Sequence, residues 1–316
     1  MKIAVLDWYT MDMTGDISTA PIEELGDVKF FPLTSPEETV KNIGDAEIVL
    51  CNKVMITREI MDKCPNIKYI GLLATGYNNI DIEYATEKGI TVCNGGSYST
   101  NAVAQQTFAY ILDYCSKIRD YDIIIKNGEW EKSPLFSYFP IPTAEVAGKT
   151  LSIVGYGSIG KKVAEIAKAF DMNIIISTRT TPRDCPYKCT DIMTAVEKAD
   201  FITFHCPLTE KTKGMVNAEL LSHMKKSAVL INTSRGAVVN EKDLSDALNN
   251  GKIAYAYLDV LEKEPMSPDT PMKNARNCVI TSHTAWSAFE TRKRLVDIVC
   301  NNVRAWINGT PTNKVN

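Results

Sequence analysis

Short apolar runs recur along the chain, with amphipathic stretches between them. Ile3–Leu6, Ile48–Leu50, Tyr69–Leu73 and Thr91–Cys93 are almost continuously apolar. That is the pattern of strands buried on both faces of a parallel sheet. Intervening stretches such as Glu37–Ile43 and Arg58–Lys63 keep a polar face and end in turn residues, as surface helices do. A longer helix is predicted over residues 101–120, where Phe108, Ile111, Leu112 and Cys115 fall at helical spacing. The rhythm then breaks over residues 127–148, which hold Pro134, Pro140 and Pro142 among the aromatics Trp130, Phe136, Tyr138 and Phe139. An irregular stretch of that length has a function or a partner, and a subunit contact is one candidate.

A second alternating series starts at Lys149. Strands are predicted at Leu151–Val154, Asn173–Ser177, Phe201–His205, Ala228–Asn232, Ala254–Leu258 and Val279–Thr281, with helices such as Ile159–Phe170 and Lys242–Asn249 between them. A final helix is predicted over residues 288–308. The expected fold class is therefore α/β, with two doubly wound parallel sheets. A length of 316 residues agrees, because it exceeds what one core comfortably organises.

Charge and cysteine usage narrow the function. The formal net charge is -3, so no basic surplus exists to hold a polyanion and a nucleic-acid partner is not expected. The nine cysteines are scattered and odd in number, which reads as reduced thiols rather than a disulfide framework. Cys185 and Cys189 flank Pro-Tyr-Lys, but no second pair or nearby His completes four ligands, so no metal is expected. The start, Met-Lys-Ile-Ala-Val-Leu-Asp, lacks a leader's longer apolar core. No apolar run approaches the ~20 residues that cross a bilayer. A cytoplasmic protein without a membrane partner is the expectation.

The clearest chemical signal follows the first strand of the second series: Gly155-Tyr156-Gly157-Ser158-Ile159-Gly160. An apolar strand precedes it, and an amphipathic helix follows with Ile159, Val163, Ile166, Ala167 and Phe170 on one face. In that context G-x-G-x-x-G reads as a dinucleotide loop. Gly155 permits the tight turn, Gly157 lets backbone approach a pyrophosphate, and Gly160 lets the helix press on the strand. The amides of the helix N-terminus then face the phosphate charge. An acidic residue for the adenine ribose is expected after the next strand, yet Thr178 and Arg179 stand there. A hydroxyl and a guanidinium suit a 2′-phosphate, which favours NADP(H). An Arg179 that only stacks on adenine or faces solvent would leave NAD(H) open as well.

Three further segments lie at predicted carboxyl ends of strands: Asn232-Thr233-Ser234-Arg235-Gly236, Asp259 through Glu264-Pro265, and Thr281-Ser282-His283-Thr284-Ala285-Trp286. Reducing a 2-keto acid needs a cation for the carboxylate, a donor to polarise the carbonyl, and an acid for the new hydroxyl. Arg235 offers a planar fork for the carboxylate. His283 offers a group that titrates near neutrality. Glu264 can orient the imidazole and favour its protonated form. His205, which precedes Cys206-Pro207, is placed beside the cofactor, whereas His223 reads as a helix-surface residue.

At these residues the chain resembles the D-isomer-specific 2-hydroxyacid dehydrogenase family, and within it the glycerate dehydrogenase/hydroxypyruvate reductase branch. The resemblance spans nearly the whole chain. It rests also on Ala74-Thr75-Gly76-Tyr77-Asn78-Asn79-Ile80-Asp81, on Asn101 through Gln105, on Gly148-Lys149-Thr150-Leu151 and on His205-Cys206-Pro207-Leu208-Thr209. It implies that Arg235, Glu264 and His283 are the catalytic set. It adds Thr212, Thr233, Ser234 and Asp259 to the cofactor contacts, with Asp259 at the nicotinamide end. Asn52, Lys53, Ala74, Thr75, Gly76 and Trp286 become substrate contacts together with Arg235 and His283. It implies a flavodoxin-like substrate domain of residues 1–99 and 288–316. A Rossmann cofactor domain of residues 100–287 is inserted between them, with a homodimer formed through the cofactor domain. Glu264 separates the chain from formate dehydrogenases, which pair this histidine with an amide. Hydroxypyruvate or glyoxylate is the implied substrate. Two alternatives stay open here: another D-2-hydroxy acid such as D-lactate, and an NAD(P)-sensing, corepressor-like binding protein on the same fold.

Overall fold

A computed structural model describes residues 1–180 and 182–316. Its strands in chain order are β1 (Lys2–Val5), β2 (Asp27–Phe30), β3 (Ile48–Cys51), β4 (Tyr69–Leu72) and β5 (Thr91–Cys93), then β6 (Thr150–Val154), β7 (Asn173–Ser177), β8 (Lys188–Cys189), β9 (Phe201–Phe204), β10 (Val229–Asn232), β11 (Tyr255–Leu258) and β12 (Cys278–Ile280). They form two sheets, ordered β2-β1-β3-β4-β5 and β12-β11-β10-β9-β6-β7-β8, with every pairing parallel. The chain divides accordingly into two compact units, Met1–Ser99 with Trp286–Asn316, and Thr100–Ala285. Trp286 and Ser287 thus fall with the first unit, two residues from the boundary expected at 287. The first sheet has the flavodoxin-like order. In the second, the order reverses between β6 and β9, as in a Rossmann fold extended by β12.

Alternation within each strand explains why both faces of both sheets are covered. In the first unit Ile3 and Val5 enter one core with Ile48, Leu50 and Tyr69, while Ala4 and Leu6 enter another with Val49, Ile70 and Leu72. Leu295, Val299 and Val303 of helix Phe289–Ile307 seal the first face, and Met61, Tyr84 and Ala85 from shorter helices seal the second. In the second unit, Ile153, Ile176 and Ile231 pack under helices Thr100–Ser116 and Ser158–Ala169. Phe204, Leu230 and Leu258 pack under Leu220, Leu244 and Leu248. Each such buried side chain contributes roughly 1.5–3 kcal/mol. An exposed helix pair such as Lys242–Asp246, at 2.6 Å, is screened by solvent and contributes little beside that. Core packing therefore sets these sheets.

Three elements depart from the sequence expectation. The helix expected over residues 101–120 stops at Ser116, where Lys117 takes a left-handed backbone (φ 50°), and a second helix runs Ile118–Lys126. That second helix buries none of its residues, so its apolar spacing continues the pattern without continuing the core. Strands β2 and β8 were not expected. Both are sheet edges, half-covered and short, where no continuous apolar run is required. Among the described residues, no helix is long and apolar enough to cross a membrane.

Candidate active site

Open α/β sheets bind ligands at the carboxyl ends of their strands, beside the point where strand order reverses. In the second sheet that point lies between β6, which runs into Gly155, and β9, which runs into His205. The two connections touch there. A Cβ on Gly155 (φ 97°) would stand 2.6 Å from the His205 carbonyl oxygen, so only glycine fits. A Cβ on Gly160 would stand 2.2 Å from the Gly155 carbonyl oxygen, which is the close helix–strand approach expected of it. Gly157 has nothing within 4 Å of the same position, and it and Ser158 are exposed at the start of a 12-residue helix. Backbone open on one side and immobilised on the other fits a dinucleotide pyrophosphate. The Tyr156 ring is turned aside against Tyr187, at 6.3 Å between centroids.

His205 is enclosed by hydroxyls, with Nε2 3.0 Å from Thr203 Oγ1 and Nδ1 3.5 Å from Thr233 Oγ1. Burial pushes its pKa down to about 3. Burial raises the neighbouring Cys206 thiol. Thr212 donates to the Pro207 carbonyl at 2.7 Å and accepts from the Thr209 amide at 2.8 Å, closing the turn after β9. Past β7, Thr178 is half-buried and Arg179 exposed. His223 lies on the surface, 3.0 Å from Glu197.

The next three strands carry the residues expected to form the catalytic set. After β10, Asn232 turns its side chain into the loop: Oδ1 accepts from the Ser234 amide at 3.0 Å and hydroxyl at 2.8 Å, and Nδ2 donates to the Arg235 carbonyl at 2.9 Å. Arg235 leaves that loop half-buried, with Nη1 donating to the Ser234 carbonyl at 2.8 Å. A Cβ on Gly236 would sit 1.9 Å from the Leu261 carbonyl, so the loops after β10 and β11 are in backbone contact. Glu264 lies on the second of these, with Oε1 accepting from the Leu261 amide at 3.1 Å and Oε2 2.7 Å from His283 Nδ1. His283 has a left-handed backbone (φ 57°), and its amide donates to the Asp259 carbonyl at 2.7 Å. The Asp259 carboxylate accepts from Thr281 Oγ1 at 2.5 Å, the Thr284 amide at 2.8 Å and the Ala285 amide at 2.9 Å. Thr281 in turn meets the Tyr110 hydroxyl at 2.5 Å.

The first unit holds the remaining candidates at the same end of its own sheet. Ala74 accepts the Gly95 amide at 2.7 Å, and Thr75 Oγ1 donates to the Gly96 carbonyl at 2.6 Å, which sets the loop leading to Gly76. Asn52 and Lys53 follow β3. Asn52 is buried and its amide donates to Thr10 Oγ1 at 3.0 Å, whereas Lys53 is exposed. The Trp286 ring packs edge-on against Tyr98 at 6.2 Å.

Residues 108–285 match the family described as D-isomer specific 2-hydroxyacid dehydrogenase, NAD binding domain. The chain belongs to that family. It is 40% identical to a hydroxypyruvate reductase of Blautia hydrogenotrophica, with 100% of each chain covered. It is 36% identical to a glycerate dehydrogenase of Methylorubrum extorquens, over 99% of this chain and 98% of that one. Among solved structures, an acyclic imino acid reductase in complex with NADPH and D-Arg matches over 100% of both chains, with a TM-score of 0.86 and 30% identity. As a member of this dehydrogenase family, the protein is an oxidoreductase that uses a nicotinamide cofactor.

Sequence reasoning passed over the residues that shape this dehydrogenase site without touching its chemistry. Asn232 and Thr281 were named only as part of their segments, and Tyr110 not at all. Glu241 was also missed: its carboxylate accepts from the Glu262 amide at 2.7 Å and from Thr270 Oγ1 at 2.5 Å, bracing the loop that carries Glu264. Polar residues at strand ends and helix starts are the only linear signal for such braces.

His205 supplies a pH test. Its folded-state pKa lies below the unfolded value of about 6.5. Between those values the unfolded chain takes up a proton that the folded chain refuses. Folding stability must then rise with pH across that window, by at most about 1.4 kcal/mol per unit from this group. Denaturant titrations from pH 4 to 7 should show the slope in the parent protein and a shallower one in His205→Asn. Identical slopes would mean that the ring protonates freely in the folded state.

Proposed function

We propose that this dehydrogenase reduces hydroxypyruvate and glyoxylate to the corresponding 2-hydroxy acids, with NADPH preferred and NADH accepted. The observation that carries the reading is the 2.7 Å pair between Glu264 and His283, on a loop in backbone contact with the one bearing Arg235. A relative named hydroxypyruvate reductase, matched over the full length of both chains, supports the substrate class. The nicotinamide ring, when bound, supplies the hydride. Gly155–Gly160 and the helix N-terminus behind them hold its pyrophosphate. Asp259, Thr233, Ser234 and the turn from His205 to Thr212 frame the cofactor further along the sheet edge.

The protein's own work is positioning and proton supply. Arg235 pairs with the substrate carboxylate and polarises the neighbouring carbonyl oxygen, a geometry that its planar fork matches. With Nδ1–H committed to Glu264, His283 presents Nε2 as its donor, and the proton leaves from there to the oxygen that becomes the hydroxyl. The Glu264 carboxylate holds the ring's orientation and its Nδ1–H tautomer. In the first unit, Asn52, Lys53, Ala74, Thr75, Gly76 and Trp286 are the further substrate contacts that the family resemblance implies.

The proton role is tested by steady-state kinetics at 340 nm. His283→Ala should lose at least ~10²-fold in kcat, and Glu264→Gln a smaller but clear factor, with cofactor affinity retained in both. Unaltered turnover in His283→Ala would remove the assignment. No turnover by the parent on hydroxypyruvate, glyoxylate or pyruvate, despite tight NADPH binding, would favour a dinucleotide-sensing protein.

The preference for NADPH rests on Thr178 and Arg179 at the end of β7, where no carboxylate opposes a 2′-phosphate. Arg179→Ala should raise KM for NADPH about tenfold or more and leave KM for NADH within about twofold, the loss expected of one charge-assisted pair. Equal effects on both would show that Arg179 does not read the phosphate.

A homodimer through the cofactor unit completes the proposal. Helix Ile118–Lys126 and the irregular segment after it expose Ile118, Ile123, Trp130, Leu135, Phe136 and Phe139, with Phe136 at 95%. An apolar surface of that kind is costly on a monomer. Light scattering should report twice the 35.1 kDa chain mass, and Phe136→Asp with Phe139→Asp should shift it toward one. A monomeric parent at micromolar concentration would refute the assignment.

A further inference from the structure

The segment Cys185-Pro-Tyr-Lys-Cys189, which holds no metal ligand set, has a use that the dinucleotide site leaves unexplained. In the second unit its two sulfurs stand 3.6 Å apart, both in the thiol form. The Tyr187 carbonyl oxygen lies 3.7 Å from Cys185 Sγ and 3.6 Å from Cys189 Sγ, so one acceptor keeps both sulfurs on the same side of the loop. Both side chains are half-buried and within reach of a small solute. Of the remaining cysteines, five are buried, and burial raises the thiols of Cys206 and Cys278 away from the reactive thiolate form.

The backbone here has room to move. A disulfide requires sulfurs about 2.05 Å apart, so the pair must close by roughly 1.5 Å. Cys189 ends β8, a two-residue strand at the sheet edge, and residues 182–187 before it form no helix or strand. Closure therefore disturbs no central strand.

The same loop supports the dinucleotide loop. The Tyr187 ring meets the Tyr156 ring edge-on at 6.3 Å, and Tyr156 stands between Gly155 and Gly157. Burial first, and then the adjacent Cys185 and Tyr187, push the Tyr156 hydroxyl up to about 12. Lys161, from the helix behind the glycines, lies 5.7 Å from the Tyr156 ring centroid and 4.0 Å from Asp184. Cys185, Cys189, Tyr156 and Tyr187 pack together against the core that contains Ile153 and Ile176.

We propose that Cys185 and Cys189 form a reversible oxidation site, a dithiol that hydrogen peroxide converts to a disulfide and whose state sets the grip of the glycine loop on the dinucleotide. One sulfur, as thiolate, attacks a peroxide oxygen; the O–O bond breaks, leaving a sulfenic acid and a hydroxide that takes the thiol's proton and departs as water. The second sulfur attacks the first, the S–O bond breaks, and a second water leaves. Two thiols and one peroxide thus give one disulfide and two waters. Drawing the sulfurs together moves Tyr187, which lies between them in the chain, and with it the support under Tyr156. Coupling of this kind is reciprocal, so bound cofactor opposes oxidation as far as oxidation weakens binding. The coupling rests on the reading that Gly155–Gly160 hold the pyrophosphate.

Peptide mass spectrometry and fluorescence titration of NADPH on the full-length enzyme test it. Peroxide should join tryptic peptides 184–188 and 189–198, which cleavage after Lys188 otherwise separates. It should also raise the NADPH dissociation constant about fivefold, with dithiothreitol reversing both effects and saturating NADPH slowing the first. Cys185→Ser and Cys189→Ser should bind NADPH as the reduced parent does and lose the peroxide response. Peptides that stay apart, a joined pair with unchanged NADPH affinity, or an equal peroxide effect in the serine variants would each overturn the proposal. Gly157→Asp, which brings a carboxylate to the pyrophosphate position, separates the two readings. Affinity kept in that variant would remove the loop assignment and the coupling with it. Affinity lost there, with no peroxide response in the parent, would remove the oxidation site alone.

Discussion

The carboxylate of Asp259 is the constraint on which the path of the segment carrying His283 depends. It follows β11 at 1% exposure and gathers Thr281 Oγ1, the Thr284 amide and the Ala285 amide, while its carbonyl takes the His283 amide. Several donors converging on one residue over-determine the path of the chain between Thr281 and Ala285. His283 is thereby kept in a left-handed conformation that costs an L-residue about 1–2 kcal/mol. That conformation places its imidazole 2.7 Å from Glu264.

The same device recurs at several strand ends. Asp7 after β1, Asn232 at the end of β10, Asp259 after β11 and Glu241 at the start of its helix each take up amides of a loop that bears functional groups. A parallel sheet leaves its carboxyl-end loops with many unsatisfied backbone donors. Short acidic and amide side chains satisfy them at low conformational cost and fix the loops that carry Arg235 and His283. Glycine does the complementary work, since Gly155 and Gly236 permit backbone contacts that a Cβ would prevent.

Legibility in the sequence followed physical strength. Central strands such as β3, β4 and β10 are buried on both faces and must be apolar throughout, so they were visible as continuous runs. Edge strands β2 and β8 face no such demand and went unseen. The turn at Lys117 was hidden because apolar spacing continues across it, and only the backbone dihedral ends the helix. The glycine loop and the segments holding Arg235, Glu264 and His283 stood out in the sequence because the phosphate binding and proton transfer proposed for them would restrict residue type at fixed places along the chain.

The amino-acid order alone determined the α/β class, the two alternating series, the dinucleotide loop and the residue types for keto-acid reduction, since burial period and chemical identity are local properties. Tertiary structure decided which of those residues meet. Glu264 and His283 are separated by a strand in the chain, and their 2.7 Å contact exists because adjacent parallel strands deliver both loops to one edge. It also decided that Asn52 is buried and Lys53 exposed. Neighbours in sequence diverge in this way once the Asp7 carboxylate, which follows another strand, takes up the amides of both.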